Sequence, residues 1–223
     1  MELRGGGQSG SGKSTLLSMI AGLEPVTGGT MELDGVPVSG PGPEHGLVFL
    51  PGALFPFLAV AENVGFGSRL LPLKDTERRR RVEWYLSEMG LLPLADALPK
   101  ELSGGQWQRV AIARALACEP SVLLLDKPFG ALDVQTKEGM QVFLHEVWRD
   151  TGATVLMVTH DVEEAVLLGR RVIVLTSDPG RVAAELPVPL PDRREIGLKR
   201  TPDFLRLRAT VEDLIRRRVP VSN

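Results

Sequence analysis

Cysteine is nearly absent from this chain. Its 223 residues include one, Cys118, so no internal disulfide can form. A thiol set among Ala115, Leu116 and Ala117 reads as a small buried hydrophobe, and a cytosolic compartment fits. An excess of one charge is lacking too. With 26 basic and 28 acidic residues the formal net charge is -2, which gives no electrostatic ground for a nucleic-acid partner. Long apolar runs are missing: none reaches the roughly 20 residues of a membrane-spanning helix. The opening residues do not pass from a charged to an apolar stretch as a leader does. Work at a membrane would therefore require another protein as anchor. Internal repeats are also absent. The length allows one large domain or two small ones, with a core that buries most of the apolar surface.

What is present is an alternation of short apolar runs with helical periodicity, the pattern of an α/β layered domain. Residues 48–50, 122–125, 154–158 and 172–175 are predicted strands. The last three are apolar on both alternate faces, as strands covered by helices on both sides must be. Helices are predicted over 14–21, 75–89, 104–117 (capped by Ser103), 134–150 (ended by Gly152), 161–168 (capped by Asp161) and from Thr201-Pro202 onward. In the second of these Val82, Tyr85, Leu86 and Met89 share a face. Residues 67–99 carry no strand signal and read as a helical insertion. Residues 187–194 read as a proline-rich connector. The run Arg78 to Arg81 reads as the solvated face of its helix, with a partner contact as the alternative. His45 and His145 read as ordinary surface or packing residues.

Two motifs carry chemistry. The first is Gly7-Gln8-Ser9-Gly10-Ser11-Gly12-Lys13-Ser14-Thr15. Phosphates are densely charged acceptors. A glycine-rich loop lets successive backbone N–H groups point inward at them, and the following helix adds its dipole. Lys13 is expected to reach the β- and γ-phosphates, Ser14 to ligate Mg²⁺, and Thr15 to lie beside the α-phosphate. A chance glycine turn is the alternative; Gly12-Lys13-Ser14-Thr15 running into Leu16-Leu17 argues against it. Such loops hang from a central strand of about five residues. Only Met1-Glu2-Leu3-Arg4 precedes Gly5 here, a segment both short and half charged. The second motif is Leu102-Ser103-Gly104-Gly105-Gln106, continued by residues 108–116, where Ser103 and the glycines leave helix N–H groups free to face an anion.

Together these motifs resemble the ATP-binding subunit of ABC transporters, over nearly the whole chain. The resemblance implies a P-loop NTPase (RecA-like) fold: α/β, a mostly parallel sheet with a helical subdomain, and an amino-terminal antiparallel strand region that is truncated. It implies a single ABC ATP-binding domain over 1–223. Residues 1–66 and 119–186 would form the P-loop core, 67–118 the helical subdomain with the signature motif, and 187–223 a C-terminal helical tail. Its cofactors would be ATP and Mg²⁺. ATP would be cradled by residues 7–15 of one subunit. Ser103, Gly104, Gly105, Gln106 and Asp133, the acid of Gly130-Ala131-Leu132-Asp133, would face the nucleotide of the other.

Val122 to Leu125 then Asp126 is an apolar strand ending in a carboxylate at the carboxyl edge of the sheet, where ligands of open α/β sheets bind. Asp126 is expected to hold Mg²⁺ together with Ser14. After that acid the family pattern has Glu, which polarises the attacking water; here the residue is Lys127, followed by Pro128. A charged lysine has no acceptor. Loss of a positioned general base lowers the rate by about 10²–10⁴, or roughly 3–5 kcal/mol. Two readings stand for Lys127: it attracts phosphate so that ATP is bound and not cleaved, or it is exposed and inert. His160, in Thr159-His160-Asp161, resembles the switch histidine at the γ-phosphate. Val48-Phe49-Leu50 resembles the segment where the family has Gln after Val-Phe; Leu50 can neither ligate nor donate. Residues 54–64 resemble the part that touches the transmembrane partner.

Residues 162–165, 171–175 and 178–181 resemble the branch that energises nitrate, sulfonate or taurine import. The implied partners are a second ATP-binding subunit, identical or not, a transmembrane permease and, indirectly, a periplasmic or extracellular substrate-binding protein. The implied location is peripheral, on the cytoplasmic side of the inner membrane. Three readings follow: an import subunit with impaired hydrolysis, a catalytically degenerate partner in an asymmetric dimer, and a non-functional truncated remnant. The true amino terminus lying upstream of Met1 is a further expectation. An ABC protein acting on ribosomes or DNA is disfavoured by the single domain and balanced charge.

Overall fold

The computed structural model of the chain describes residues 2–5, 12–49, 54–130, 132–176 and 179–218. Its strands are β1 (Glu2–Gly5), β2 (Glu32–Leu33), β3 (Val36–Pro37), β4 (His45–Val48), β5 (Val122–Asp126), β6 (Thr154–Thr159), β7 (Arg171–Leu175) and β8 (Val182–Pro187). Its helices are α1 (Lys13–Ile20), α2 (Val60–Gly65), α3 (Asp75–Glu88), α4 (Gly104–Leu116), α5 (Val134–Thr151), α6 (Val162–Leu168) and α7 (Pro202–Arg218). Six strands form one sheet in the order β4-β5-β6-β1-β7-β8, parallel except for β8.

Period-two alternation decides which face each strand residue serves. Leu123, Leu125 and Met157 pack with α2, α3, α4 and α5 on one side of the sheet. Val122, Leu124, Leu156, Val158, Ile173 and Leu175 pack with Leu17 and Ala21 on the other. Val172 and Val174 join α6 and α7 through Val166, Phe204 and Val211. Both faces of β5, β6 and β7 are therefore largely dry, which is why those three sequences are apolar over most of their length.

Several sequence expectations change. The strand expected at 48–50 is β4, His45–Val48, and it ends two residues before Leu50. The short, half-charged segment at the amino end is nonetheless a strand: β1 lies between β6 and β7, with Leu3 opposite Val158 and Ile173. Ladder bonding on both sides is a backbone property and does not need a long apolar run. Pairing is antiparallel, among the described residues, at β7–β8 and at the β2–β3 hairpin, whose Asp34-Gly35 turn has positive φ at both residues; neither hairpin partner nor β8 was expected from the sequence. α2 was missed as well, being only six residues long.

Cys118 is half-buried rather than buried, and burial raises its thiol pKa. The arginine run divides. Arg79 and Arg80 are exposed, whereas Arg78 bonds Asp75 at 2.5 Å and the Ser68 carbonyl at 3.2 Å. Arg81 pairs with Glu119 at 3.2 Å. On α5 the buried face includes Gln141 and His145 beside Met140 and Leu144.

Tyr85, the one tyrosine of the chain, is buried in this core. Burial first, and the nearby Glu119 carboxylate second, push its phenol up to about 12. Between pH 10 and 12 the folded state thus binds more protons than the unfolded state, so stability falls as pH rises through that window. Absorbance at 295 nm is expected to show a native tyrosine midpoint near 12; a midpoint at 10 without unfolding would refute the burial.

Candidate nucleotide site

The carboxyl edge of the sheet gathers the predicted residues because the strands that end in them are parallel and adjacent. β5 ends in Asp126, opposite Val158 of β6, and Arg4 of β1 lies opposite Thr159. His160 therefore follows β6 between the ends of β5 and β1. Gly12 opens α1 with a φ of 73°, in the left-handed region where a side chain is strained. Lys13 begins the helix and is buried, whereas Ser14 and Thr15 are exposed. Gly7, Gln8, Ser9, Gly10, Ser11 and Leu50 lie outside the described residues.

One contact joins the two candidate metal ligands across 112 residues. Ser14 donates its hydroxyl to Asp126 Oδ2 at 2.7 Å. Asp126 Oδ1 is buried and accepts no hydrogen bond among the described residues. An ionised carboxylate keeps about four lone-pair directions to fill, and a buried one left empty is a standing demand for a cation or donor. A hydroxyl and a carboxylate are hard oxygen donors of the kind Mg²⁺ takes, one or two from protein and the rest from water and phosphate. The donor set fits that ion.

Lys127 follows with a φ of 49°, and its N–H donates to the Val158 carbonyl at 2.8 Å. Its side chain is exposed, beside buried Pro128 and Phe129. His160 is exposed.

The residues expected to serve a second subunit form another cluster. Ser103 caps α4: Gln106 N–H donates to Ser103 Oγ at 3.3 Å, and Ser103 N–H donates to Gln106 Oε1 at 2.8 Å. This reciprocal capping box fixes the helix start. Asp133 caps α5 by accepting from the Gln135 and Thr136 N–H groups, both at 3.1 Å. The bonds from Thr136 above all hold its carboxyl below the usual range. The two helix starts touch: a Cβ on Gly105 would lie 2.7 Å from Thr136 Cγ2, so α4 approaches α5 as closely as only glycine permits.

Sequence reasoning missed the residues behind these groups. Thr159, Lys137 and Glu164 surround the backbone that carries His160. Asn63 pins the segment before α2. The only sequence signal was polar residues at positions that proved to be buried at Asn63, Thr159 and Glu164 and half-buried at Lys137.

Comparison with known proteins accords with this arrangement. Residues 6–130 match the ABC transporter family. The chain is 49% identical over 218 residues to the nitrate import ATP-binding protein NrtD of Synechocystis sp., covering 95% of this chain and 82% of that protein. It is 45% identical over 216 residues to the taurine import ATP-binding protein TauB of Burkholderia pseudomallei, covering 94% and 83%. Among solved structures it is similar to the dimeric bacterial ABC transporter cassette MJ0796, with a TM-score of 0.71 at 36% identity over 84% of each chain. The dimeric post-hydrolysis state of the same cassette, bound to ADP and Pi, gives 0.70 at 35% identity, again over 84% of each chain. A phosphate-loop helix fastened to a strand-end carboxylate, a capped Ser-Gly-Gly helix start and this degree of identity place one conclusion beyond the fold: the chain belongs to the ABC transporter family, as one of its ATP-binding, ABC-type ATPase subunits.

Proposed function

We propose that this chain is the ATP-binding subunit of an importer for a small anion or sulfonate of the nitrate and taurine kind, and that its own nucleotide site binds ATP better than it cleaves it. The relatives' names support the first part; Lys127 in place of the family's Glu, and Leu50 in place of Gln, support the second. The observation that carries the site is the Ser14–Asp126 contact with its open carboxylate oxygen. Lys13 and the loop amides neutralise and orient the triphosphate, and His160 donates a ring N–H to its terminal group. Ser14 and Asp126 would hold Mg²⁺, which when bound withdraws charge from the phosphate oxygens.

In this reading two copies close head to tail, and Ser103, Gly104, Gly105, Gln106 and Asp133 of each cover the partner's nucleotide. Residues 1–66 and 119–186 act as core, 67–118 as helical subdomain and 187–223 as tail. No helix among the described residues is long and apolar enough to cross a membrane. We place the subunit peripherally, on the cytoplasmic face of the inner membrane, against a permease served by a substrate-binding protein. Phe55, Phe57 and Phe66 form an aromatic cluster at which that permease would dock, Phe57 being 73% exposed.

A second reading is favoured by one contrast. The cluster that serves the opposite nucleotide retains its family residues and both its caps, while the chain's own site carries Lys127. Paired with a Glu-bearing subunit, this chain would complete one competent site. Equilibrium dialysis with magnesium and labelled ATP tests the shared premise. The chain is expected to retain ATP, and Lys13→Ala to weaken retention about 10- to 100-fold, as loss of a charge-assisted contact of roughly 1.5–3 kcal/mol implies. Retention that ignores Lys13→Ala would end the proposal.

A further inference from the structure

Behind His160 lies a closed polar cluster that fastens two loops together. Thr159 is 2% exposed; its hydroxyl donates to Glu164 Oε2 and accepts from the Asp161 N–H at 3.0 Å. Asp161 Oδ1 accepts from the Glu163 and Glu164 N–H groups at 2.8 and 3.3 Å, which starts α6. Across the gap, Lys137 on α5 reaches Asp161 Oδ2 and Glu164 Oε1, each at 2.6 Å. Glu164 is 4% exposed, whereas Lys137 and Asp161 are half-buried, so one ammonium meets two carboxylates where the protein interior gives way to solvent. Burial alone would lower the ammonium's pKa, but the Asp161 and Glu164 carboxylates more than reverse it, and the net direction is up. Lys137 is therefore an ammonium around neutrality.

Its ends are what matter. The Lys137 N–H donates to the Asp133 carbonyl at 2.8 Å, so Lys137 stands one turn from the loop that faces a second subunit. His160 stands between Thr159 and Asp161, both members of the cluster. A charged triad at a half-buried site is a poor way to gain bulk stability, because desolvation offsets much of the attraction. It is a good way to fix one loop relative to another, because two short charge-assisted bonds from one ammonium tolerate little displacement.

We propose that Lys137 is a positioning residue, whose bridge to Asp161 and Glu164 couples the Asp133 loop to the His160 loop, so that closure of a second subunit and placement of the histidine occur together. The inference rests on the dimeric ATP-binding reading above. Lys137 touches no nucleotide in it and acts through its two carboxylates.

The test uses the full chain and four variants: Lys137→Met, Lys137→Arg, Glu164→Gln and the Lys137→Met/Glu164→Gln double. Each is measured for Mg-ATP affinity by dialysis, for ATP-dependent dimerisation by sedimentation velocity, and for Tm. Lys137→Met is expected to leave ATP affinity within about twofold, since Lys13 and its loop set that value, and to weaken dimerisation about tenfold or more, the size of a typical coupling. Lys137→Arg is expected to restore most of the dimer. The double variant is expected to dimerise no worse than Lys137→Met, because the stranded Glu164 charge is gone.

Dimerisation of Lys137→Met equal to that of the parent would overturn the coupling, as would affinity and dimerisation falling in step with Tm. If Lys137→Met does not fold, Glu164→Gln breaks the same bridge from the other end and is judged by the same outcomes. A parent chain that retains no ATP overturns the nucleotide reading itself. A parent that retains ATP and dimerises regardless of Lys137 overturns the coupling alone.

Discussion

Leu50→Gln with Lys127→Glu is expected to raise phosphate release by about 10²–10⁴, the range a positioned general base supplies. The argument rests on what surrounds Lys127. Its backbone is already held, by its N–H on the Val158 carbonyl and by its own carbonyl on the Gly130 N–H at 3.1 Å. Its side chain leaves the strand end directly after Asp126 and is exposed. Glu at 127 would enter that same turn and bring an acceptor to the carboxyl edge, where an ammonium brings only donors. Lys127→Glu alone is expected to give most of the gain, and Leu50→Gln alone little, because a glutamine orients water but does not take its proton. The measurement is labelled phosphate release, with Lys13→Ala added to each variant to exclude a contaminant. A double variant no faster than the parent would show that something other than the missing base limits turnover.

Asn63→Ala is expected to lower stability by about 2–4 kcal/mol and to loosen the segment that carries Phe55 and Phe57. Asn63 is fully buried. Its carbonyl accepts from the Phe55 N–H at 2.9 Å, and its amide donates to the carbonyls of Leu58 at 2.8 Å and of Phe55 and Ala59 at 3.2 Å. One side chain thus satisfies the backbone of a turn that has no ladder of its own. The Phe55 and Ala59 carbonyls keep the Leu58 and Asn63 N–H groups, but alanine strips the Phe55 N–H and the Leu58 carbonyl of the Asn63 side chain, and each group left dry costs about 1–3 kcal/mol. For a chain of this size, that corresponds to a Tm lower by roughly 5–15 °C. Near-ultraviolet circular dichroism on heating reads it directly, and an unchanged Tm would mean that water replaces the amide without loss. If the aromatic cluster docks a permease, the variant also binds that permease more weakly at temperatures where it is still folded.

Both predictions draw on residues that the sequence displays without explaining. Lys127 is visible as a departure because its neighbours Asp126 and Pro128 keep the pattern. Asn63 is visible only as a letter between Glu62 and Val64. The difference is one of range. A strand end, a helix cap or a glycine loop is built from consecutive residues, so residue order reveals it. That is why β5, β6 and β7, the long helices, and the caps at Ser103 and Asp161 could be read to within a residue or two. Strands β2 and β3 and helix α2 escaped because each is short, and short elements take their conformation from what they pack against rather than from their own periodicity; β8, as long as β6, escaped because Val182-Ala183-Ala184-Glu185-Leu186-Pro187 is only partly buried and carries no run of branched apolar residues.

By themselves, the residues in order determined the family, its two glycine-rich motifs and the places where Leu50 and Lys127 depart from its pattern, because those are matters of side-chain type at fixed spacing along one backbone. The folded chain alone decided that a half-charged amino-terminal segment fills the middle of the sheet, that Ser14 meets Asp126, that Gly105 admits Thr136, and that Lys137 answers two acids on another helix. Those contacts join residues dozens of positions apart. Their existence depends on how strands register and helices cross, and that geometry follows from burying both faces of the sheet at once rather than from any local run of residues.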